Sequence, residues 1–238
     1  MRTDKKGIFE DETICAMCKT ELQEGEEVMC DACDQKAEDK TREIEFQKME
    51  KEIQQTAKRW ETICPKSYQT SRADKMPLKL QELYKTWDAD HPNSIYMKGA
   101  SGIGKTSAAF VLARACHFAG KRVKYWQASD LRQKAIQASS STDTKKFQSF
   151  KIEFLNADLI ILDDFGNTAK TAASDEHLLS LLEGVKARGI KTIVTTQYHG
   201  KQLVESFHNP SIGMAISNRA QDATRIDLFE DELFNATK

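Results

Sequence analysis

The chain has 238 residues and a formal net charge of −1. That length accommodates one sizeable hydrophobic core and a small appended module. The balance of 35 Lys and Arg against 36 Asp and Glu excludes a protein coated with basic surface for duplex DNA, although a local nucleic-acid groove stays open. The polar start predicts no signal peptide, and no apolar run reaches the ~20 residues that span a bilayer. We therefore expect a cytoplasmic protein with no membrane partner.

Four cysteines near the N-terminus form two Cys-x-x-Cys pairs: Cys15, Cys18, Cys30 and Cys33. In a reducing compartment, clustered cysteines indicate metal ligands before disulfides. Each pair can place two thiolates on one side of a tight turn, so the sequence predicts a structural zinc site with four cysteine ligands. A redox pair or unrelated thiols are the alternatives.

Residues 34–60 are rich in Lys, Glu, Gln and Ala and contain no Gly or Pro. Apolar side chains recur there at steps of three and four residues, at Phe46, Met49, Ile53, Ala57 and Trp60. This pattern predicts a long charged helix with one apolar stripe. The stripe could pack on its own domain or bind a partner helix, and the pattern favours neither.

Strands and helices alternate from residue 94 onward. Short apolar segments at 94–98, 123–126, 159–162, 191–196 and 225–229 are separated by helical patterns. Such alternation is typical of an α/β protein with a parallel five-stranded sheet covered on both faces. We predict three parts: a zinc-binding module with its helix over 1–60, a linker over 61–93 and the α/β core over 94–238.

The first predicted strand of the core runs into a phosphate-binding loop. The stretch Gly99-Ala100-Ser101-Gly102-Ile103-Gly104-Lys105-Thr106 fits G-x-x-x-x-G-K-T, and a helix follows from Ser107. The glycines let backbone N–H groups approach the phosphates, reinforced by the positive end of the helix. Lys105 supplies a charge for the β and γ phosphates and Thr106 a hydroxyl ligand for Mg²⁺. The sequence thus predicts ATP and Mg²⁺ as ligands. We expect residues 60–68 to lie near the nucleotide base or the start of the core.

Five further residues, from three places in the chain, complete the predicted site. Asp163 and Asp164 end the apolar strand 159–162, and we assign Asp163 to Mg²⁺ through water and Asp164 to polarising the attacking water. Thr196 and Gln197 end the next strand, where they could orient that water and sense the γ phosphate. Arg219 could neutralise charge at a neighbour's γ phosphate. Turn capping, strand-end polarity and an ordinary surface arginine are the respective alternatives.

These motifs, over residues 60–229, resemble the AAA+ ATPases of the bacterial DnaC/DnaI helicase-loader group and the related transposition ATPase IstB. The resemblance is carried by Leu162-Asp163-Asp164-Phe165-Gly166, by the strand ending Thr195-Thr196-Gln197 and by Ser217-Asn218-Arg219. Gln197 stands where the family commonly has Asn. The resemblance implies a three-layer P-loop core with a reduced or absent C-terminal lid. It also implies an arginine finger at Arg219 and self-association with nucleotide at subunit interfaces.

By the same resemblance, the protein hydrolyses ATP and loads the ring-shaped replicative helicase onto single-stranded DNA, contacting the helicase through its N-terminal module. A transposition or DNA-remodelling ATPase of the IstB kind is one alternative, and a nucleotide-gated adaptor with negligible turnover is another. A weaker DNA signal is the interleaving of basic and aromatic residues over 121–126. We favour core packing of that strand as its explanation.

Overall fold

The structure is a computed structural model that describes residues 17–18, 29–139, 144–166, 172–198, 200–220 and 223–228. The chain divides into two compact units, Met1–Gln55 and Thr56–Lys238. No helix in the described ranges is both long and apolar enough to cross a membrane. The predicted partition of the chain into module, linker and core stays a prediction.

A single long helix, α1 (Asp31–Ile63), contains the predicted helix and extends three residues beyond it at each end. It begins directly after Cys30, whose carbonyl accepts the N–H groups of Cys33 and Asp34 at 2.8 and 3.0 Å. Asp31 and Asp34 place negative charge in the first turn, where the helix dipole favours it. One ligand of the predicted zinc site, Cys33, therefore lies on the helix itself.

The second unit is built on a five-stranded sheet with the order β2-β3-β4-β1-β5. Every strand pairing among the described residues is parallel, and this confirms the predicted fold. The strands are β1 (Ile95–Gly99), β2 (Val123–Gln127), β3 (Leu159–Asp163), β4 (Lys191–Thr196) and β5 (Thr224–Leu228). The helices are α2 (Leu78–Lys85), α3 (Lys105–Phe118), α4 (Ala128–Ser139), α5 (Thr144–Phe154), α6 (Ala172–Ala187), α7 (Gly200–Glu205) and α8 (Pro210–Ala220).

Alternate residues of the central strands fill two separate cores. Ile161 and Ile193 face the core that contains α3, whereas Ile160, Leu162 and Val194 face the core of α4, α6 and α8. This follows from the two-residue period of a strand, and it makes the sheet the middle layer of three. Residues 229–238, on which the prediction of a reduced lid depends, lie outside the described ranges.

The segment before the sheet packs on the α3 side of the core. Trp60, Met76 and Leu80 are buried there, and the Trp60 ring meets Phe110 edge-on with centroids 6.1 Å apart. Two short 3₁₀ turns, Lys66–Tyr68 and Ala73–Lys75, separate α1 from α2. The second turn leads to Pro77, whose ring lies beside Gly104 of the phosphate loop.

Candidate nucleotide-binding site

The glycines of the phosphate loop sit where side chains would be strained or excluded. Gly102 and Gly104 have φ values of +80° and +92°, a region that L-residues avoid. A Cβ on Gly99 would lie 2.6 Å from the carbonyl oxygen of Leu228 on β5. The loop can therefore curl tightly between β1 and α3. The helix begins at Lys105, two residues earlier than predicted, so the lysine and threonine of the motif lie in its first turn.

Lys105 is held over the loop, and its side chain is buried. Its ammonium donates hydrogen bonds to the carbonyl oxygens of Gly99 at 2.8 Å and Ala100 at 2.7 Å. Burial lowers the pKa of Lys105, and the nearby charges of Asp164 and Asp163 oppose that shift. The site thus holds a desolvated cation beside two carboxylates, which suits the recognition of an anionic ligand with its metal ion.

Asp163 meets Thr106 across the sheet–helix boundary. The Thr106 hydroxyl on α3 donates a 2.8 Å hydrogen bond to Oδ1 of Asp163 at the end of β3. Both oxygen atoms are hard metal ligands of the kind that Mg²⁺ prefers. They lie beside the buried Lys105 ammonium, which would contact the phosphates. The residues present therefore fit a magnesium ion at this point.

The end of β4 clamps the acidic turn through Thr195. Its hydroxyl donates to Oδ1 of Asp163 at 2.5 Å and accepts the N–H of Asp164 at 3.0 Å. Its carbonyl accepts the N–H of Phe165 at 2.8 Å. Asp164 has a φ of +54°, the one left-handed value found at a non-glycine residue among the described ranges. These three hydrogen bonds hold that uncommon conformation.

The structure gathers most of the predicted residues around one cavity of about 430 Å³. Its lining includes Asp163, Asp164, Gln197 and Thr195, and from the phosphate loop and the start of α3 it includes Ser101, Gly102, Gly104, Lys105, Thr106 and Ser107. Ile103 is buried in the core instead. Thr196 is not brought to the cavity: its hydroxyl donates to the carbonyl of Phe165 at 2.5 Å and accepts the Tyr198 N–H at 3.1 Å. The side chains of successive strand residues point to opposite faces, so Thr195 faces the cavity where Thr196 was predicted.

Comparison with known proteins agrees with this geometry. The sequence profile of the IstB-like ATP binding proteins matches residues 34–228. The chain belongs to this family. The DnaC helicase loader has a similar structure, with a TM-score of 0.54 and 18% identity over 69% of this chain and 99% of that one. DnaI gives a TM-score of 0.51 and 14% identity over 63% of this chain and 80% of that one. These structures share the AAA+ fold.

A relative by sequence is the chromosomal replication initiator DnaA of Ureaplasma parvum serovar 3. It is 29% identical over 129 residues, which cover 52% of this chain and 27% of that protein. A second DnaA, from Mesoplasma florum, is matched over 30% of its length. The chain thus spans less than a third of the length of the curated relatives it matches. ATP binding follows from the family, and the chain is related to replication proteins of the AAA+ class.

Besides Thr195, Gln127 and Tyr125 belong to the IstB-like site and were not predicted from the sequence. Gln127 lines the cavity, and the Tyr125 hydroxyl lies 3.4 Å from Oδ2 of Asp163. Burial raises the pKa of Tyr125 above its ordinary value, so the phenol keeps its proton and can donate it to that carboxylate. Only Gln127 had a signal in the sequence, since it ends a strand at the same sheet edge as Asp163.

Tyr68 also lines the cavity, and it belongs to the segment 60–68 that was expected near the nucleotide or the start of the core. Its ring stacks on Phe110 of α3, with centroids 5.2 Å apart. The segment expectation did not single out this tyrosine. An aromatic ring thus borders the cavity from a part of the chain that precedes the sheet.

Arg219 lies on α8, but its side chain is not among those that the structure describes, so its role stays a prediction. The segment that leads into α8 is well anchored. The Asp175 carboxylate on α6 accepts a hydrogen bond from the Arg132 guanidinium of α4 at 2.9 Å and one from the backbone N–H of His208 at 2.7 Å. Both charged side chains are almost completely buried. Removing either partner of a buried ion pair costs stability, because the other charge is left buried alone. Since Asp175 bonds both Arg132 and the backbone just before α8, it fixes the start of α8 relative to α4 and α6.

Arg122, which precedes β2, and the basic and aromatic residues of β2 make contacts within the fold. Arg122 forms a two-pronged contact with Asp158, at 3.1 and 2.9 Å, and Lys124 donates to the carbonyl of Glu153. Trp126 packs edge-on against Phe150. The Trp126 contact is of the kind expected from core packing of the strand, whereas the Arg122–Asp158 pair lies at the surface.

The cysteine cluster lies in the first unit. The sulfur atoms of Cys18, Cys30 and Cys33 all lie within 4.8 Å of one another, and those of Cys18 and Cys30 are 3.6 Å apart. Tetrahedral zinc with Zn–S bonds of about 2.3 Å requires sulfur atoms about 3.8 Å apart. The three thiols therefore fit three corners of a zinc site. Cys15, the predicted fourth ligand, lies outside the described residues.

Proposed function

We propose that this IstB-like protein hydrolyses ATP to ADP and phosphate in DNA replication, in the cytoplasm, and loads the ring-shaped replicative helicase onto single-stranded DNA. The observation that carries the ATPase part is the 2.8 Å hydrogen bond between Thr106 and Asp163, beside the buried ammonium of Lys105. A metal ligand of the phosphate loop and a carboxylate of the neighbouring strand meet there. That pairing is what phosphoryl transfer from a nucleotide requires.

In this proposal, the loop N–H groups and Lys105 bind the phosphates, and Ser107 continues the first turn of α3. Thr106, and Asp163 through water, would hold Mg²⁺, which would supply charge neutralisation to the β and γ phosphates. Asp164 accepts a proton from the attacking water, and Gln197 orients that water. Thr195 keeps both carboxylates in position.

Assembly completes the site. Arg219 of one copy neutralises charge at the γ phosphate bound by its neighbour, so that turnover depends on self-association. Support comes from α8 itself, because its start is anchored through the Asp175 contact to His208. A helix so anchored can present an arginine in a defined direction.

The helicase-loading part rests on likeness of fold. The matched DnaC helicase loader is covered over 99% of its length by 69% of this chain. The N-terminal unit carries the cysteine cluster and most of α1. We propose that Cys15, Cys18, Cys30 and Cys33 bind one zinc ion that replaces a hydrophobic core in this small unit, and that the unit contacts the helicase.

The test is co-sedimentation of the full chain with the replicative helicase of the source organism, in ATP and in ADP. Cys30→Ser/Cys33→Ser removes two zinc ligands, and Lys105→Ala removes the phosphate contact. Binding that depends on the nucleotide and is lost in the cysteine variant is the expected result. An absence of binding in both nucleotide states would overturn the loader function while leaving the ATPase intact.

The family match itself favours a second candidate, a transposition ATPase of the IstB kind. The profile that matches residues 34–228 describes IstB-like ATP binding proteins. In that case the N-terminal unit would bind a transposase and not the helicase. Co-sedimentation with each partner in parallel distinguishes the two, because the ATPase site is common to both.

A further inference from the structure

The apolar stripe of α1 is exposed over its middle part. Phe46, Met49 and Ile53 are 62%, 55% and 54% exposed. They are three and four residues apart, so their side chains form one row along the helix. Exposing three large apolar side chains in a row is unfavourable for an isolated helix, and such rows commonly mark a binding surface.

Acidic side chains flank this row on both sides. At about 100° per residue, Glu43 and Glu50 lie on one side of the row, and Glu45 and Glu52 lie on the other. All four are exposed. The cations of this stretch, Lys48 and Lys51, lie on the opposite face of the helix. The surface of residues 43–53 is therefore an apolar row between two lines of carboxylates; we call it the acidic-edged stripe.

This arrangement excludes a second copy of the same helix as the occupant. When two helices pair along such a row, the flanking positions of one face the flanking positions of the other. Within residues 43–53, a parallel or an antiparallel pair would bring only glutamates together. Facing like charges destabilise a helix pair and serve as a specificity device against self-pairing.

We propose that the acidic-edged stripe binds an amphipathic helix of a different protein, with an apolar row flanked by Lys or Arg. Burying Phe46, Met49 and Ile53 against that row supplies the affinity, and the four glutamates select the charge pattern. The inference rests on the proposed function for the identity of the partner, and on the residues of α1 for its chemistry.

The experiment uses the purified full chain and two fluorescent helical peptides of about 21 residues, long enough to span the stripe. Both carry Leu at the row positions; one carries Lys at the flanking positions and the other carries Glu. Fluorescence anisotropy should show the Lys-flanked peptide binding at least about tenfold more tightly at low salt, with the difference shrinking as salt is added. Equal binding of the two peptides, or no binding of the Lys-flanked one, would overturn the inference.

Two variants locate the contact. Phe46→Ser/Met49→Ser/Ile53→Ser should abolish peptide binding, while Lys48→Glu/Lys51→Glu on the opposite face should leave the preference for the Lys-flanked peptide in place. Circular dichroism and ATP binding check that both variants fold. Sedimentation should show the same degree of self-association for the wild-type chain and the triple variant. Self-association that is lost in the triple variant would contradict the inference.

The same variants separate this inference from the proposed function. If the triple variant still co-sediments with the helicase, the loader function stands and the acidic-edged stripe is not its docking surface. If the Lys-flanked peptide binds but the helicase does not, the stripe has the proposed chemistry and the helicase is not the partner. Loss of both interactions in the triple variant alone is the result expected if both ideas hold.

Discussion

Thr195 donates a hydrogen bond to Asp163, with 2.5 Å between Oγ1 and Oδ1. The same hydroxyl accepts the N–H of Asp164, so one side chain of β4 holds both carboxylates at the end of β3. Asp163 also accepts the hydroxyl of Thr106 on α3. Three elements of the core thus meet at one carboxylate, and its position relative to the phosphate loop depends on all of them.

Thr195→Val should lower the ATPase kcat about 10- to 100-fold while changing the affinity for ATP by less than about threefold. The isosteric methyl removes the donor to Asp163 and the acceptor of the Asp164 N–H, which frees the acidic turn to leave its left-handed conformation. Single-turnover hydrolysis and nucleotide titration measure the two quantities separately. Thr195→Ser keeps the hydroxyl and is the matched control; equal loss in Ser and Val would show that the hydrogen bonds are irrelevant.

The course of β4 could be predicted from the sequence, but its orientation could not. The strand runs over the predicted residues 191–196, because an apolar run between polar residues is a local signal. Which of Thr195 and Thr196 faces the site depends on how the pleat of β4 meets β3 and α3, and that is tertiary. The two-residue period of a strand places Thr195 and Gln197 on one face. Once Gln197 was assigned to the site, Thr195 could therefore have been predicted to face it as well.

The motif of the phosphate loop could be recognised from the sequence because it is contiguous, but the start of α3 at Lys105 and the burial of Ile103 in the core could not. Lys105, Thr106 and the glycines act within a few residues of one another, so spacing alone identifies them. Tyr68 and Tyr125 reach the site from elsewhere in the chain. Both pack on Phe110, with centroids 5.2 and 5.0 Å away. In a sequence such tyrosines look like ordinary aromatic core residues, and only the packing around α3 shows that these two border the site.

Asp164→Asn should reduce kcat by about 10²- to 10⁴-fold and leave ATP binding intact. The amide keeps the size of the side chain and lacks the basicity to take a proton from water. Quenched-flow measurement of phosphate release, with ATP affinity from equilibrium titration, tests this. Asp163→Asn is the informative comparison, because it should weaken Mg²⁺-dependent binding as well. If Asp164→Asn turns over at the wild-type rate, Asp164 is not the base.

The purified chain should contain about one zinc ion, and Cys15→Ser, Cys18→Ser, Cys30→Ser or Cys33→Ser should each lower that content. Cys64→Ala is the control. Burial raises the pKa of the Cys64 thiol to about 11, so it stays protonated and is a poor metal ligand. Elemental analysis gives the stoichiometry. The assignment of Cys15 as the fourth ligand rests on the sequence alone. Retention of a full equivalent of zinc in Cys15→Ser would contradict that assignment.

The Arg122–Asp158 pair should make stability depend on pH in the acid range. The hydrogen bond from Arg122 lowers the pKa of Asp158 below its ordinary value of 3.8. A folded-state pKa below the unfolded one contributes stability above pH 3.8, and that contribution is lost as the pH falls through the folded value. Asp158→Asn should therefore lower the urea midpoint near neutral pH and have a smaller effect in strong acid, below the folded pKa. A constant difference across that range would refute the linkage.

Arg219→Ala should lower kcat about 10³-fold without preventing ATP binding, if this arginine acts on a neighbour's nucleotide. Mixing is the decisive measurement. Arg219→Ala keeps Asp164, and Asp164→Asn keeps Arg219, so a mixed assembly contains complete sites at the contacts between the two variants. Hydrolysis by the mixture should exceed the sum of the separate rates. Arg225→Ala, at an exposed position on β5, is the matched control and should hydrolyse ATP normally. Simple addition of the two rates on mixing would mean that Arg219 does not act across a subunit contact.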